Sequence, residues 1–203
     1  MFPLETNRFS SPYSKIVNES EAILTIQKWQ QSGLTIVMTD AVLDIPHYRH
    51  ADYFMVCANY GDKLLVRINS DEFVAQRKDP RGPIIKWNER AKAAAHYPYI
   101  DLITTKTVGG WQYLDTFKPN IVIKSVTSGI EVLNEIDQIL PIVNESNIKL
   151  IVLDEFALPI SRENIHNEGL LYTNNKLGRD KFSGSIIKNE IKRRTLEDLQ
   201  KQK

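Results

Sequence analysis

The stretch Leu34-Thr35-Ile36-Val37-Met38-Thr39-Asp40-Ala41-Val42-Leu43-Asp44-Ile45-Pro46-His47-Tyr48-Arg49-His50 decides the fold. Leu34 to Met38 is short and nearly continuously apolar, the pattern of a strand buried on both faces rather than of one with a wet side. Thr39-Asp40 ends it. A loop holding Asp44 and Pro46 follows, and from His47 to Tyr60 the residues Ala51, Phe54, Cys57 and Ala58 fall on one helical face, with Gly61 read as a left-handed C-terminal stop. Strand, loop, helix is the unit from which parallel α/β sheets are assembled.

The flanks repeat that unit. Upstream, Asn18-Glu19-Ser20-Glu21 offers a cap with an acid three positions on, and Ile23, Ile26 and Trp29 follow at helical spacing until Ser32-Gly33. Downstream, strands are predicted over Lys63 to Ile68, Ile100 to Thr104, Ile121 to Lys124 and Lys149 to Leu153. Helices are predicted over Asn88 to Tyr97, from Gly109-Gly110 to about Phe117, and from Gly129 to about Val143. The alternation implies an α/β fold: a parallel sheet of about five strands with right-handed crossovers and helices on both faces. Ligands of such sheets sit beyond the carboxyl ends of the strands, so the positions to watch follow Met38, Ser70, Lys124 and Leu153. Phe156 to Lys181 shows no period, which points to a functional loop or lid over about 156–182. Ser183 to Gln202 reads as a charged final helix. The expected organisation is a flexible segment over 1–14 and a single domain over 15–203.

Composition sets the outer bounds. The 203 residues, 42% of them hydrophobic, suffice for one well-packed core. Lys and Arg number 26 against 25 Asp and Glu, so no global field draws the chain to nucleic acid or an anionic membrane, and any phosphate site must be local. The basic turn Lys192-Arg193-Arg194 reads as a solvated face. The lone Cys57 lies in an apolar run and is assigned a core position rather than a catalytic one, which fits a reducing compartment. The first residues lack a signal-peptide pattern, and no apolar run approaches the roughly 18 residues of a membrane span. The expectation is a soluble cytoplasmic protein.

Three segments carry residues suited to phosphate chemistry. His47 and His50 lie at a helix start, where unpaired N–H groups and the helix dipole favour an anion; surface or capping histidines are the plainer reading of such a pair. In Phe182-Ser183-Gly184-Ser185-Ile186-Ile187-Lys188, small hydroxyl residues, a glycine and a lysine one turn on can bind phosphate or simply cap a helix. Arg77-Lys78-Asp79-Pro80-Arg81, after Asn69-Ser70-Asp71 and before Arg90, fits a phosphate-rich ligand or a charged surface loop.

From Lys15 to about Asp154 the order of these features resembles the cytidylyltransferase-like nucleotidyltransferases, in particular the adenylyltransferase domain that activates heptose 1-phosphate. That family carries T-N-G-x-F-D-x-x-H-x-G-H, then G-D-x-L-x-V-x-x-N-S-D, a Lys before a Pro-containing loop, E-R-A, and K-P-D-x-x-V-K. The chain answers with Thr39 to His50, Gly61 to Asp71, Lys78, Pro83, Glu89-Arg90-Ala91 and Lys118 to Lys124. Ser183 to Lys188 is similar to the S-[TS]-[TS]-x-[IL]-[KR] signature shared with glycerol-phosphate cytidylyltransferases.

The resemblance implies a Rossmann-like nucleotidyltransferase fold and attack of a substrate phosphate on the α-phosphate of ATP or CTP, with pyrophosphate leaving. It implies that His47 and His50 donate to the triphosphate, that Lys78 and Lys188 neutralise it, and that Ser183, Gly184 and Ser185 hold the β- and γ-phosphates. Thr39, Asp40, Ala41, Asp44, Arg49, Arg90 and Lys124 complete the nucleotide site by the same resemblance, with Asp44 equally readable as a loop-structuring carboxylate. Mg²⁺ would be held mainly by the nucleotide and no protein metal site is expected. The acceptor would be a small phosphorylated sugar or polyol; neither nucleic acid nor membrane is expected as a partner. Relatives assemble through helices beside the sheet, which leaves room for a homo-oligomer. Departures from the pattern are Arg49 for glycine, Asp40-Ala41 for Asn-Gly and Ser125-Val126-Thr127 for Gly-Gly-Asp. Two accounts follow: an active transferase, or a nucleotide- or sugar-phosphate-binding module on the same fold.

Overall fold

The computed structural model describes residues 11–77, 80–107, 112–125, 138–139, 142–143, 146–153 and 170–172. Five parallel strands, β1 (Ile36–Ala41), β2 (Lys63–Asn69), β3 (Leu102–Lys106), β4 (Ile121–Ser125) and β5 (Lys149–Leu153), stand in the order β3-β2-β1-β4-β5. A sixth, β6 (Leu170–Tyr172), extends the sheet antiparallel to β5, within the stretch expected to be an aperiodic loop. Because the chain passes from β1 to β2 on one side and returns from β3 to β4 on the other, the strand order reverses between β1 and β4, where α/β sheets open a crevice.

Helices cover both faces of the sheet. On one lie α1 (Glu19–Gln31) and α5 (Tyr113–Phe117), with Ala22, Ile26, Leu114 and Phe117 packed on Met38, Leu65, Leu102 and Val122. On the other lie α2 (Tyr48–Ala58) and α4 (Trp87–Ala95), with Phe54, Cys57, Ala91 and Ala94 on Val37, Val66, Ile103 and Ile123. Each of the five parallel strands feeds both cores, the reason its sequence reads as a nearly continuous apolar run.

Local signals account for the element ends. The Asn18 side chain accepts from the Glu21 N–H at 2.9 Å and Glu21 returns a bond to the Asn18 N–H at 3.2 Å, the expected capping box of α1. Gly33, with φ +79°, stops that helix. Gly61 is not left-handed, contrary to its reading as a stop; a Cβ there would come within 2.7 Å of Val37 Cγ2 and 2.8 Å of the Thr35 carbonyl oxygen, so glycine is needed for close approach. A further helix, α3 (Asp71–Arg77), was not predicted: Ser70 Oγ accepts from the Phe73 N–H at 3.1 Å, and Phe73 and Val74 are buried. Residues 12–15, within and just past the segment expected to be flexible, form a 3₁₀ turn, followed by the Val17 N–H donating to Ile103 O at 2.9 Å.

Candidate functional site

Strand β1 runs three residues beyond its apolar part, to Ala41, and this extension carries Thr39 and Asp40 to the crevice beside β4. The Asp40 carboxylate meets three cations from three neighbouring strands. Arg67 Nε of β2 donates to Oδ1 at 2.8 Å; Lys106 Nζ of β3 and Lys124 Nζ of β4 reach Oδ2 at 2.8 and 2.7 Å. These side chains are almost wholly enclosed, Arg67 and Lys106 at 3% exposure and Lys124 at 6%, against 11% for Asp40. Tyr113 of α5 lies over them, its ring centroid 3.5 Å from the Arg67 guanidinium carbon. Burial by itself would push the Asp40 carboxyl up, but Arg67, Lys106 and Lys124 outweigh it and hold the group well below the usual carboxylate range. The negative charge that replaces the neutral Asn of the signature is therefore compensated from the sheet, by Arg67, Lys106 and Lys124.

Thr39 points to the opposite face. It is 1% exposed, and its hydroxyl donates to the Ile123 carbonyl at 2.9 Å; a hydroxyl has one proton, so the Tyr53 hydroxyl, 2.6 Å away, must donate to Thr39. This chain of bonds ties β1 and β4 to α2 and fixes the helix that presents the histidines. The Thr39 side chain is committed to that tie. Cys57, one turn after Tyr53, is fully buried and its thiol is pushed far up by that burial, which places it in the core as expected.

His47 is the N-cap of α2 and His50 lies within its first turn, their rings 4.1 Å apart. The His47 backbone N–H donates to His50 Nδ1 at 3.2 Å. Burial, followed by the neighbouring His47, lowers the pKa of His50, so it is neutral at physiological pH with its proton on Nε2. His50 thus offers one N–H donor, and His47 and Arg49 are exposed beside it, with Arg49 Nε 3.3 Å from the Tyr48 hydroxyl.

Two expected nucleotide contacts take structural positions instead. Arg90 is fully buried and clamps three segments, donating to Val42 O, to Ile85 O at 2.8 Å and to Asp71 Oδ1 at 2.6 Å. Asp44 accepts from the Ile85 N–H at 2.8 Å, the loop-structuring role that was the alternative for it. Both hold the β1–α2 loop against the loop before α4, with Leu43 between them at φ +57° and 1% exposure. Ala41 is half-buried against the α2 side of the core. Lys78, Ser183, Gly184, Ser185 and Lys188 lie outside the described residues. Arg67, Lys106 and Tyr113 were not singled out from sequence; the signal present was a charge inside each of two otherwise apolar or uncharged strand runs, Leu64-Leu65-Val66-Arg67-Ile68 and Leu102 to Lys106. Among the described residues no three His, Cys, Asp or Glu side chains group as metal ligands, and no helix is long and apolar enough to cross a membrane.

No family model matches the chain. It is similar over part of its length to bifunctional HldE proteins. Identity is 28% over 100 residues with that of Methylobacillus flagellatus, covering 49% of this chain and 20% of the relative. It is 31% over 90 residues with that of Koribacter versatilis, covering 44% and 18%, and 30% over 110 residues with that of Vibrio cholerae strain ATCC 39541, covering 54% and 23%. The chain therefore spans about a fifth of the length of these curated relatives. A lipopolysaccharide core biosynthesis protein from Thermoplasma volcanium aligns in structure with a TM-score of 0.48 and 22% identity, over 60% of this chain and 97% of that one.

Proposed function

We propose that the chain is a nucleotidyltransferase that moves a nucleotidyl group from ATP or CTP to a small phosphorylated sugar or polyol and releases pyrophosphate. The observation that carries this reading is the His47 and His50 pair at the start of α2, beside the carboxyl end of central strand β1, with His50 held neutral and its Nε2–H free of the helix's own bonding. The ordered resemblance to the heptose 1-phosphate adenylyltransferase domain and the similarity to HldE proteins support it.

In-line attack of the acceptor phosphate on the α-phosphorus forms one P–O bond as the bond to pyrophosphate breaks, so the residues' task is to position and neutralise rather than to form a covalent intermediate. A neutral His50 donates a hydrogen bond to a triphosphate oxygen without having to lose a proton. Backbone N–H groups at the start of α2 add to it. Mg²⁺ supplies charge neutralisation on the triphosphate; Asp40, already taken up by three cations, and Asp44, engaged with Ile85, are not offered as its ligands. The test is pyrophosphate release from ATP or CTP with Mg²⁺ and a panel of sugar and polyol phosphates, and its loss in His50→Ala.

A second reading, binding without turnover, is favoured by one observation: the exposed Arg49 side chain stands between the histidines, where the signature has glycine. Triphosphate binding without pyrophosphate release from any acceptor selects this reading, and absence of nucleotide binding removes both.

A further inference from the structure

Between β1 and α2 the chain is fixed residue by residue. The Val42 carbonyl accepts from the buried Arg90 guanidinium, which also donates to Ile85 O at 2.8 Å and to Asp71 Oδ1 at 2.6 Å. Leu43 follows in the left-handed region, at φ +57°, with its side chain 1% exposed in the core cluster that holds Phe54 and Ala91. The Asp44 carboxylate then accepts from the Ile85 N–H at 2.8 Å. Pro46 has its own φ set by its ring and restricts Ile45 before it to extended backbone. The left-handed region disfavours any residue with a Cβ, whereas glycine adopts it freely. A leucine kept there by contacts on both sides marks a loop whose path is imposed by its surroundings, a pattern that gathers at functional sites.

The imposed path ends at one atom. His47 stands next, extended at φ −144° and ψ 172°, and its backbone N–H donates to His50 Nδ1 at 3.2 Å. A neutral imidazole has one lone-pair nitrogen and one N–H, and the partner of one nitrogen decides the state of the other. A donor facing Nδ1 keeps that nitrogen unprotonated, so the proton stays on Nε2. If the His47 N–H is displaced, the imidazole can carry its proton on either nitrogen and the Nε2–H form is no longer enforced. The Tyr53 bond to Thr39 holds α2 one turn further on and leaves residues 42–47 to the loop's own contacts. We infer that the β1–α2 loop is a tautomer lock, in which Asp44 and Arg90 are positioning residues that hold the His47 N–H against His50 Nδ1 and keep the His50 proton on Nε2, where a ligand oxygen can accept from it. The use of that N–H in turnover rests on the transferase reading; the tautomer does not.

Long-range proton–nitrogen NMR correlations of the full chain, taken well above the ordinary histidine pKa of about 6.5, read the tautomer directly. In the wild type His50 should show an unprotonated Nδ1 and a protonated Nε2. In Asp44→Ala the Ile85 N–H loses its acceptor, and the two nitrogen shifts should move toward each other as the Nδ1–H form appears. Asp44→Asn, whose Oδ1 still accepts from Ile85, should restore the wild-type spectrum. Arg90→Lys, with one donor centre in place of a fork for three acceptors, should resemble Asp44→Ala; if that buried change prevents folding, the Asp44 pair decides alone. Pyrophosphate release per folded molecule should fall about tenfold in Asp44→Ala, short of the roughly 10²–10³-fold expected when a donor is lost entirely, and recover in Asp44→Asn. A protonated Nδ1 in the wild type overturns the inference, as does an Asp44→Ala protein with an unchanged spectrum. An Asp44→Asn protein as impaired as Asp44→Ala means that the Asp44 charge acts directly on metal or nucleotide, and overturns the positioning role. If the wild type releases no pyrophosphate with any acceptor, the transferase reading falls and the spectra still decide the lock.

Discussion

The Asp40 cluster and the His47–His50 step belong to one short stretch of chain and are built in opposite ways. Asp40 is enclosed, with cations from three strands and an aromatic ring over them; the histidines sit at a helix start, exposed or half-exposed, joined by the His47 N–H donating to His50 Nδ1 and the His50 N–H donating to His47 O. Residues of one signature thus divide into a floor, which the fold over-determines, and a lip, which the fold leaves available. Thr39, Asp44 and Arg90 belong to the floor. His47, Arg49 and His50 of that signature lie at the exposed or half-exposed surface, with Ile45 and Tyr48 exposed beside them.

The sharpest way to break this division is to remove the centre of the floor. In Asp40→Ala three buried cations lose their shared carboxylate, and removing one partner of a buried ionic group costs about 3–5 kcal/mol. Urea unfolding should show that loss, with a fall in Tm of roughly 10 °C for a domain of this size. The pH dependence has a fixed sign. Asp40's pKa is lower folded than unfolded, so its contribution is complete above the unfolded value of about 3.9 and is lost as pH falls below it toward the folded value. The stability gap between wild type and Asp40→Asn should therefore close below about pH 4; a gap that persists in stronger acid contradicts the ionic account.

His50→Ala is the matching test of the lip. Pyrophosphate release should fall by about 10²–10³-fold, the scale of one lost oxyanion donor, while stability changes by under about 1 kcal/mol. Because burial and His47 depress the pKa of His50, the neutral donor persists below the ordinary value of about 6.5, and activity should hold its plateau to lower pH than an unperturbed histidine allows. A fall centred at 6.5 or above shows that some other group is titrating.

How far the sequence discloses this arrangement follows from the range of each interaction. The five parallel strands, the capping box of α1 and the helix after β1 depend on neighbours within one or two turns, and composition and periodicity report such neighbours well. Asp40 reads as the end of a strand because a carboxylate in a buried strand is costly. Its compensation comes from Arg67, Lys106 and Lys124, at separations of 27, 66 and 84 residues, which no local period encodes. The same holds for Arg90, whose resemblance-based role as a nucleotide contact gives way to a clamp on Val42 and Ile85. Helix α3 is only two turns long and was assigned no element from sequence, although Ser70 followed by Asp71 and Glu72 is a legible helix start.

The tie between floor and lip is the Tyr53 hydroxyl. Tyr53→Phe removes one buried hydrogen bond while Thr39 keeps its own bond to Ile123, so a loss of about 1 kcal/mol is expected. If the bond merely stabilises, turnover per folded molecule is unchanged. If it sets the pose of α2, turnover falls several-fold more than stability predicts, and Thr39→Val reproduces the effect.

The smallest effect concerns Arg49, and it decides what the lip is for. An exposed side chain contributes within about 0.5 kcal/mol to stability, so Arg49→Ala should melt as wild type does. Its consequence lies in nucleotide affinity. A guanidinium beside a helix N-terminus attracts a triphosphate and can donate to it, so the affinity of Arg49→Ala for ATP or CTP should fall about fivefold, and less at high salt because the pair is solvent-screened. A rise in affinity instead means that Arg49 obstructs the backbone approach that glycine permits in the signature, and that the lip binds in spite of it. In that event Arg49→Gly should raise pyrophosphate release as well, since glycine removes the side chain and restores the open approach to the α2 N–H groups.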